Sequence, residues 1–141
     1  MTINHRAVHL GDTCLEMLPE RAIYWPLTRA LFVADLHLGK AEAFRRSGLA
    51  VPEGDSTDTL NRLAQLLRKY QPAELILLGD ILHARLAANS MLPAQFNRWR
   101  GEQNVPRVTA IAGNHDHDLG QIAQGMAIVS EGTTHRGLTL L

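Results

Sequence analysis

The chain has 141 residues, enough for one domain with a real core, and its 45% hydrophobic and 20% charged residues exclude a disordered or fibrous chain. Formal net charge is zero, so no global basic bias advertises nucleic acid; every basic residue except Lys40 and Lys69 is arginine, which fits bidentate phosphate contacts and equally a GC-rich codon habit. The single cysteine, Cys14, excludes an internal disulfide and a thiolate metal site, residues 1–6 lack the apolar run of a secretory signal, and no stretch is long enough to span a bilayer, so a cytoplasmic location with no membrane partner is expected.

In chain order, Val8 to Leu10 and Thr13 to Leu18 flank Gly11-Asp12, a dipeptide favoured in two-residue turns, and read as a β-hairpin. Ala22 to Trp25 adds a strand that Pro26 closes. Leu31 to Ala34 is a continuous apolar run ending in Asp35-Leu36-His37. Lys40 to Arg46 has helical composition, Pro52-Glu53-Gly54 breaks it, and Ser56-Thr57-Asp58 offers caps to a helix reaching about Tyr70, with Leu60, Leu63, Leu66 and Leu67 on one face. After Gln71-Pro72, a second apolar run, Leu75 to Leu78, ends in Gly79-Asp80.

Residues from His83 to Ser90 read as helical or irregular, and Leu92-Pro93 opens a helix through Phe96 and Trp99 to Arg100, which Gly101 is expected to terminate. A third run, Val108 to Ala112, ends in Gly113-Asn114-His115-Asp116. The polar residues that follow lead into a short helix around Gln121. Ala127 to Val129 and Leu138 to Leu141 read as strands joined by a turn, Gly132-Thr133-Thr134-His135-Arg136-Gly137. There are no repeats and no low-complexity segments, so a single domain over residues 1–141 is expected.

Short continuous apolar runs bounded by glycine and polar residues are the mark of strands buried on both faces of a parallel sheet, and ligands collect at the carboxyl ends of such strands. The three strand ends would bring two carboxylates, an amide oxygen and two imidazoles into one crevice. Hard oxygens mixed with imidazole suit Mn, Fe or Zn, and a carboxylate can bridge two dications with its two oxygens, whereas a neutral amide oxygen binds only one.

The order Asp-x-His, Gly-Asp, Gly-Asn-His-Asp resembles the calcineurin-like metallophosphoesterase superfamily. Leu18-Pro19-Glu20-Arg21-Ala22-Ile23-Tyr24-Trp25-Pro26, Ala34-Asp35-Leu36-His37-Leu38-Gly39-Lys40, Phe44-Arg45-Arg46 and Gly79-Asp80-Ile81-Leu82-His83-Ala84-Arg85 are similar to its ligase-associated DNA damage response phosphoesterase or endonuclease branch, over essentially the whole chain. The resemblance implies an α/β fold, a partial four-layer α/β/β/α sandwich of two mixed sheets covered by helices. It implies two divalent ions, manganese foremost with iron or zinc as alternatives: Asp35 and His37 ligate the first, Asp80 bridges both, and Asn114 ligates the second. His115 would stabilise the transition state or protonate the leaving oxygen, and Asp116, the second catalytic candidate, would orient His115 or a loop amide. His83 would contact the substrate phosphate.

Lys40, Arg45, Arg46 and Arg85 follow the ligand strands and are candidates to line an entry for a polyanionic backbone, though solvated helix faces look the same. His5, His9 and His117 read as surface or loop positions, His135 as a poor substitute ligand, and Asp118, outside the motif, as a residue of little consequence. The family's later metal-binding histidines, including a Gly-His-x-His motif, have no counterpart here, so the chain looks like the first two-thirds of such an enzyme. On that reading the 141-residue chain alone is expected to be inactive or nearly so and to self-associate through an exposed sheet edge.

The function expected is metal-dependent phosphodiester hydrolysis, with DNA as substrate and a ligase or helicase repair system as its setting. A small-nucleotide or phospho-metabolite esterase is the alternative within the same chemistry. An inactive remnant that only binds a partner or itself is the alternative outside it.

Overall fold

A computed structural model describes residues 6–19, 21–49, 56–83, 85–113, 116, 118–122, 126–129, 134–135 and 138–139. Seven strands form one sheet in sequence order: β1 (Arg6–Leu10), β2 (Thr13–Leu18), β3 (Ala22–Trp25), β4 (Ala30–Ala34), β5 (Glu74–Leu78), β6 (Arg107–Ile111) and β7 (Ala127–Val129). β1 to β4 pair antiparallel, and β4 to β7 pair parallel. The Gly11-Asp12 turn joins β1 to β2 as the sequence predicts, with Gly11 at φ 61° supplying the conformation that side chains resist. Among the described residues three helices accompany the sheet: α1 (Lys40–Arg46), α2 (Ser56–Tyr70) and α3 (Leu92–Glu102), followed by a 3₁₀ turn over Leu119–Gln121.

Alternation along the parallel strands explains why their sequences are continuously apolar. Leu31 and Val33 of β4, Leu75 and Leu77 of β5, and Val108 and Ala110 of β6 share a core with Leu60, Leu63, Ala64, Leu66 and Leu67 of α2 and Leu92, Phe96 and Trp99 of α3. Phe32, Ile76 and Ile111 face the other way and are buried with Leu15, Trp25 and Ala30. With both faces withdrawn from water there is no place for polar alternation. The i, i+3, i+4 spacing on α2 turns one stripe inward, each fully buried leucine contributing about 1.5–3 kcal/mol. Trp99 locks α3 to α2 by donating its indole N–H to the Leu60 carbonyl at 3.1 Å.

The described strands make a mixed seven-stranded sheet accompanied by helices, the α/β fold expected, and a separate antiparallel pair, β8 (Thr134–His135) with β9 (Leu138–Thr139). Two expectations need correction. His135 lies in a strand, β8, and not in a turn joining the strands at Ala127 to Val129 and Leu138 to Leu141. Gly101 does not end α3, which runs on to Glu102 and stops where Gln103 turns extended (φ −90°, ψ 140°). A helical glycine costs about 1 kcal/mol against alanine, less than the packing of Phe96 and Trp99 that holds the helix.

The sheet edges are β1 and β7, and Ile128 on β7 is 45% exposed. Among the described residues no helix is long and apolar enough to cross a membrane.

Candidate metal centre

β4 ends at Ala34 and delivers Asp35 and His37, and β5 ends at Leu78 and delivers Asp80 through Gly79. Because the two strands are adjacent and parallel in register Ala34↔Leu78, their exits lie side by side. Pairing continues beyond them. The His37 amide donates to the Asp80 carbonyl (2.9 Å), the Leu38 amide to the Ile81 carbonyl (2.8 Å), and the His83 amide to the Leu38 carbonyl (2.9 Å), so the two loops are zipped as an extension of the ladder.

This extension is tightly curled. Asp35, His37 and Asp80 all have positive φ (56°, 46° and 47°), and they are half of the six described non-glycine residues that do. Such backbone costs on the order of 1–3 kcal/mol per residue and persists only where surroundings enforce it. The result is that Asp35, His37 and Asp80 each turn one ligand atom into a common space, all within 4.8 Å of one another. His37 Nε2 lies 4.0 Å from Asp35 Oδ1. Two carboxylate oxygens and an imidazole nitrogen, half-buried to exposed, form a donor set suited to a divalent transition ion.

The third strand end buttresses the second. The Gly79 amide donates to the Ile111 carbonyl (2.8 Å), and Gly113 packs so closely that a Cβ there would stand 2.7 Å from the Asp80 nitrogen and 3.2 Å from Asp80 Oδ1. Asp116, 6% exposed, accepts from the Leu82 amide at Oδ1 (2.8 Å) and from the Gly113 amide at Oδ2 (2.6 Å). Both oxygens of Asp116 thus hold loop backbone, and its part is to position the β5 and β6 exits. Asn114, His115 and His117 lie outside the described residues, as do His5 and the Pro52-Glu53-Gly54 break. We expect Gly113→Ala to push the Asp80 turn aside, lowering stability by about 1–3 kcal/mol as overpacking does and weakening manganese binding, measured by urea unfolding and titration calorimetry.

His83 joins the cluster's rim: its ring centroid is 6.0 Å from that of His37 and 5.3 Å from that of Phe44, edge-on in both cases. Lys40 Nζ lies 5.8 Å from the Phe44 ring and lines, with Asp35 and His37, a cleft of about 680 Å³ between the β2–β3 turn, α1 and α2.

The other basic candidates do not share that cleft. Arg45 and Arg46 line a separate depression beside Met91 and Gln95, Arg46 donates to the Arg85 carbonyl (3.2 Å), and Arg85 pairs with Asp118 at 3.7 Å. Asp118 is not inconsequential. Its Oδ2 accepts from the Leu86 amide (2.8 Å), fixing the loop that follows His83. Sequence reasoning also passed over Arg21 and Arg62, which line the Asp35 cleft; Arg21 stands inside the Leu18 to Pro26 stretch that carries the family resemblance, but nothing local marks its role.

Against this geometry, the calcineurin-like phosphoesterase family model matches residues 28–134, a span that begins before β4 and contains β4, β5 and β6. Among solved structures, the chain is similar to the nuclease MPE of Pseudomonas putida, at 34% identity and a TM-score of 0.77 over 94% of this chain and 63% of that one. The chain therefore spans less than two-thirds of that nuclease's length. No curated protein matches it. With three-quarters of its residues inside the family model and the Asp-x-His and Gly-Asp pairs at adjacent strand ends, the chain belongs to the calcineurin-like phosphoesterase family.

Proposed function

We propose that this protein is a metal-dependent phosphodiesterase acting on nucleic acid. The carrying observation is the convergence of Asp35, His37 and Asp80 within 4.8 Å at two adjacent strand ends, and the likeness to a nuclease supports the substrate class. Asp35 and His37 would hold one divalent ion, Asp80 would be shared with a second, and Asn114 would complete the second; manganese is the first candidate for both. When bound, such ions supply Lewis-acid stabilisation of the charge that develops on a phosphate under in-line attack.

The chain's own residues do the rest. His83, on the rim formed with His37 and Phe44, orients the phosphate, and Lys40 adds a point charge at the mouth of the cleft. His115 passes a proton to the leaving oxygen. Asp116 keeps the β5 and β6 exits at fixed separation, so that the ligand atoms do not drift as the substrate binds. DNA, in a cytoplasmic repair setting shared with a ligase or helicase, is the physiological substrate this reading favours.

The test compares a single-stranded oligonucleotide with a mononucleotide on the protein. We expect cleavage of the oligonucleotide on addition of manganese, loss of cleavage with chelator, and affinity that falls steeply with salt as neutralised phosphates release counterions. Good turnover of the mononucleotide, with oligonucleotide binding absent or insensitive to salt, would shift the assignment to a small-nucleotide esterase. Turnover of neither would leave a binding module.

A further inference from the structure

We propose that the cleft between the β2–β3 turn, α1 and α2 seats the nucleotide unit adjoining the scissile phosphate, with Arg21 and Arg62 gripping the phosphate of that unit. This rests on the nucleic-acid reading above and adds to it where the flanking strand lies. The cleft of about 680 Å³ is within the range of about 300–1,000 Å³ usual for ligand sites, and one end of it is formed by Asp35 and His37. A phosphodiester held at those residues must extend one of its two substituents somewhere, and this cavity opens beside them.

Its walls have the polarity a nucleotide needs. Val33, Phe44, Leu63 and Leu66 give an apolar floor for the flat face of a base, while Arg21, Lys40 and Arg62 carry the positive charge. Apart from Asp35, the carboxylate among the described lining residues is Asp58, in the first turn of α2 where the helix dipole favours it. Among the described lining residues cationic charge thus exceeds anionic once Asp35 is committed to a metal ion.

The two arginines are distinguished by what they do not do. Arg29 donates to the Gln71 carbonyl, Arg46 to the Arg85 carbonyl, and Arg85 pairs with Asp118, so each of these has work in holding the fold. Neither Arg21 nor Arg62 makes an ion pair or side-chain hydrogen bond among the described residues. Both residues are exposed, and their backbones are fixed. Arg21 has φ 57°, and its carbonyl accepts from the Ala34 amide (3.3 Å), which pins the β2–β3 turn next to the residue preceding Asp35. Arg62 stands one residue before buried Leu63 on α2. Guanidinium groups that line a cleft with no partner among the described residues are matched to a bidentate anion such as phosphate.

The experiment measures binding of a fluorescent single-stranded oligonucleotide across a salt series, with manganese present. It compares wild type, the double variant Arg21→Ala/Arg62→Ala, and the control Arg68→Ala/Arg98→Ala, which removes the same charge from exposed positions on α2 and α3 outside the cleft. We expect the cleft variant to lose at least tenfold in affinity and its log–log salt slope to shrink by about 0.7, the contribution of the one single-strand phosphate that is no longer neutralised. Its metal stoichiometry should equal that of wild type, and the control should keep the wild-type slope. Equal losses in both double variants, no loss in the cleft variant, or no oligonucleotide binding by wild type would each overturn the proposal. A protein that binds the oligonucleotide through the cleft yet hydrolyses no phosphodiester with any divalent ion would remove the functional reading and leave the cleft assignment standing.

Discussion

Asp80→Asn is expected to cost more metal affinity than any other single substitution in the chain. Its carboxylate is one of three candidate ligand groups within 4.8 Å, and it is the one that both neighbouring strand exits support: His37 donates its amide to the Asp80 carbonyl, and Gly113 closes against the Asp80 nitrogen. The substitution keeps shape and backbone while removing the negative charge and one anionic oxygen. A neutral amide oxygen cannot be shared between two dications, so occupancy of both positions should collapse. Loss of an outer-shell partner alone typically costs about 10–100-fold in metal affinity or activity; loss of a shared ligand should exceed that. Elemental analysis of manganese per chain, with fold checked by circular dichroism, reads the effect independently of turnover. Asp12→Asn, in the exposed β1–β2 turn, is the control, since Asp118 is tied to Leu86 and Arg85. Equal metal content in wild type and Asp80→Asn would sink the ligand assignment.

What the sequence made legible follows from how far each contact reaches along the chain. Leu31 to Ala34, Leu75 to Leu78 and Val108 to Ala112 could be read as strands because burial on both faces leaves a local trace, and α2 because four leucines at helical spacing do the same. The ligand candidates were legible by their places at strand ends, Asp35, His37 and Asp80 above all. β8 was not, since two residues are too few to show alternation, whereas β9 falls within the strand expected at Leu138 to Leu141. Nor could the sequence reveal the left-handed backbone at Asp35, His37 and Asp80, which depends on hydrogen bonds between loops. The division of the basic residues was equally hidden: Lys40 faces the Asp35 cleft and Arg46, six residues later, caps the Arg85 carbonyl, a partition set by the way α1 lies on the molecule. Asn114 and His115, read from the third motif, lie outside the described residues.

Asp116→Ala is expected to produce the largest loss of stability among the site variants, with metal binding weakened as a consequence. Asp116 is the buried charged residue among those described, and its two oxygens satisfy two amides 31 residues apart in sequence, Leu82 after β5 and Gly113 after β6. Leu82 is itself fully buried, so its N–H has no route to water when the carboxylate is gone. An orphaned buried donor costs about 1–3 kcal/mol, so losing the acceptor for both amides should total about 2–6 kcal/mol, a large share of the 5–15 kcal/mol typical of a whole domain. Asp116→Asn should fall between the two, because one amide would keep an oxygen and the other would face an NH₂ group. The order wild type, Asn, Ala in urea midpoint reads the tether. A parallel decline in manganese affinity under conditions where all three are folded reads its effect on Asp80. Were Asp116 instead a group that only handles protons during turnover, both variants would lose activity while urea midpoints and manganese affinity stayed at wild-type values.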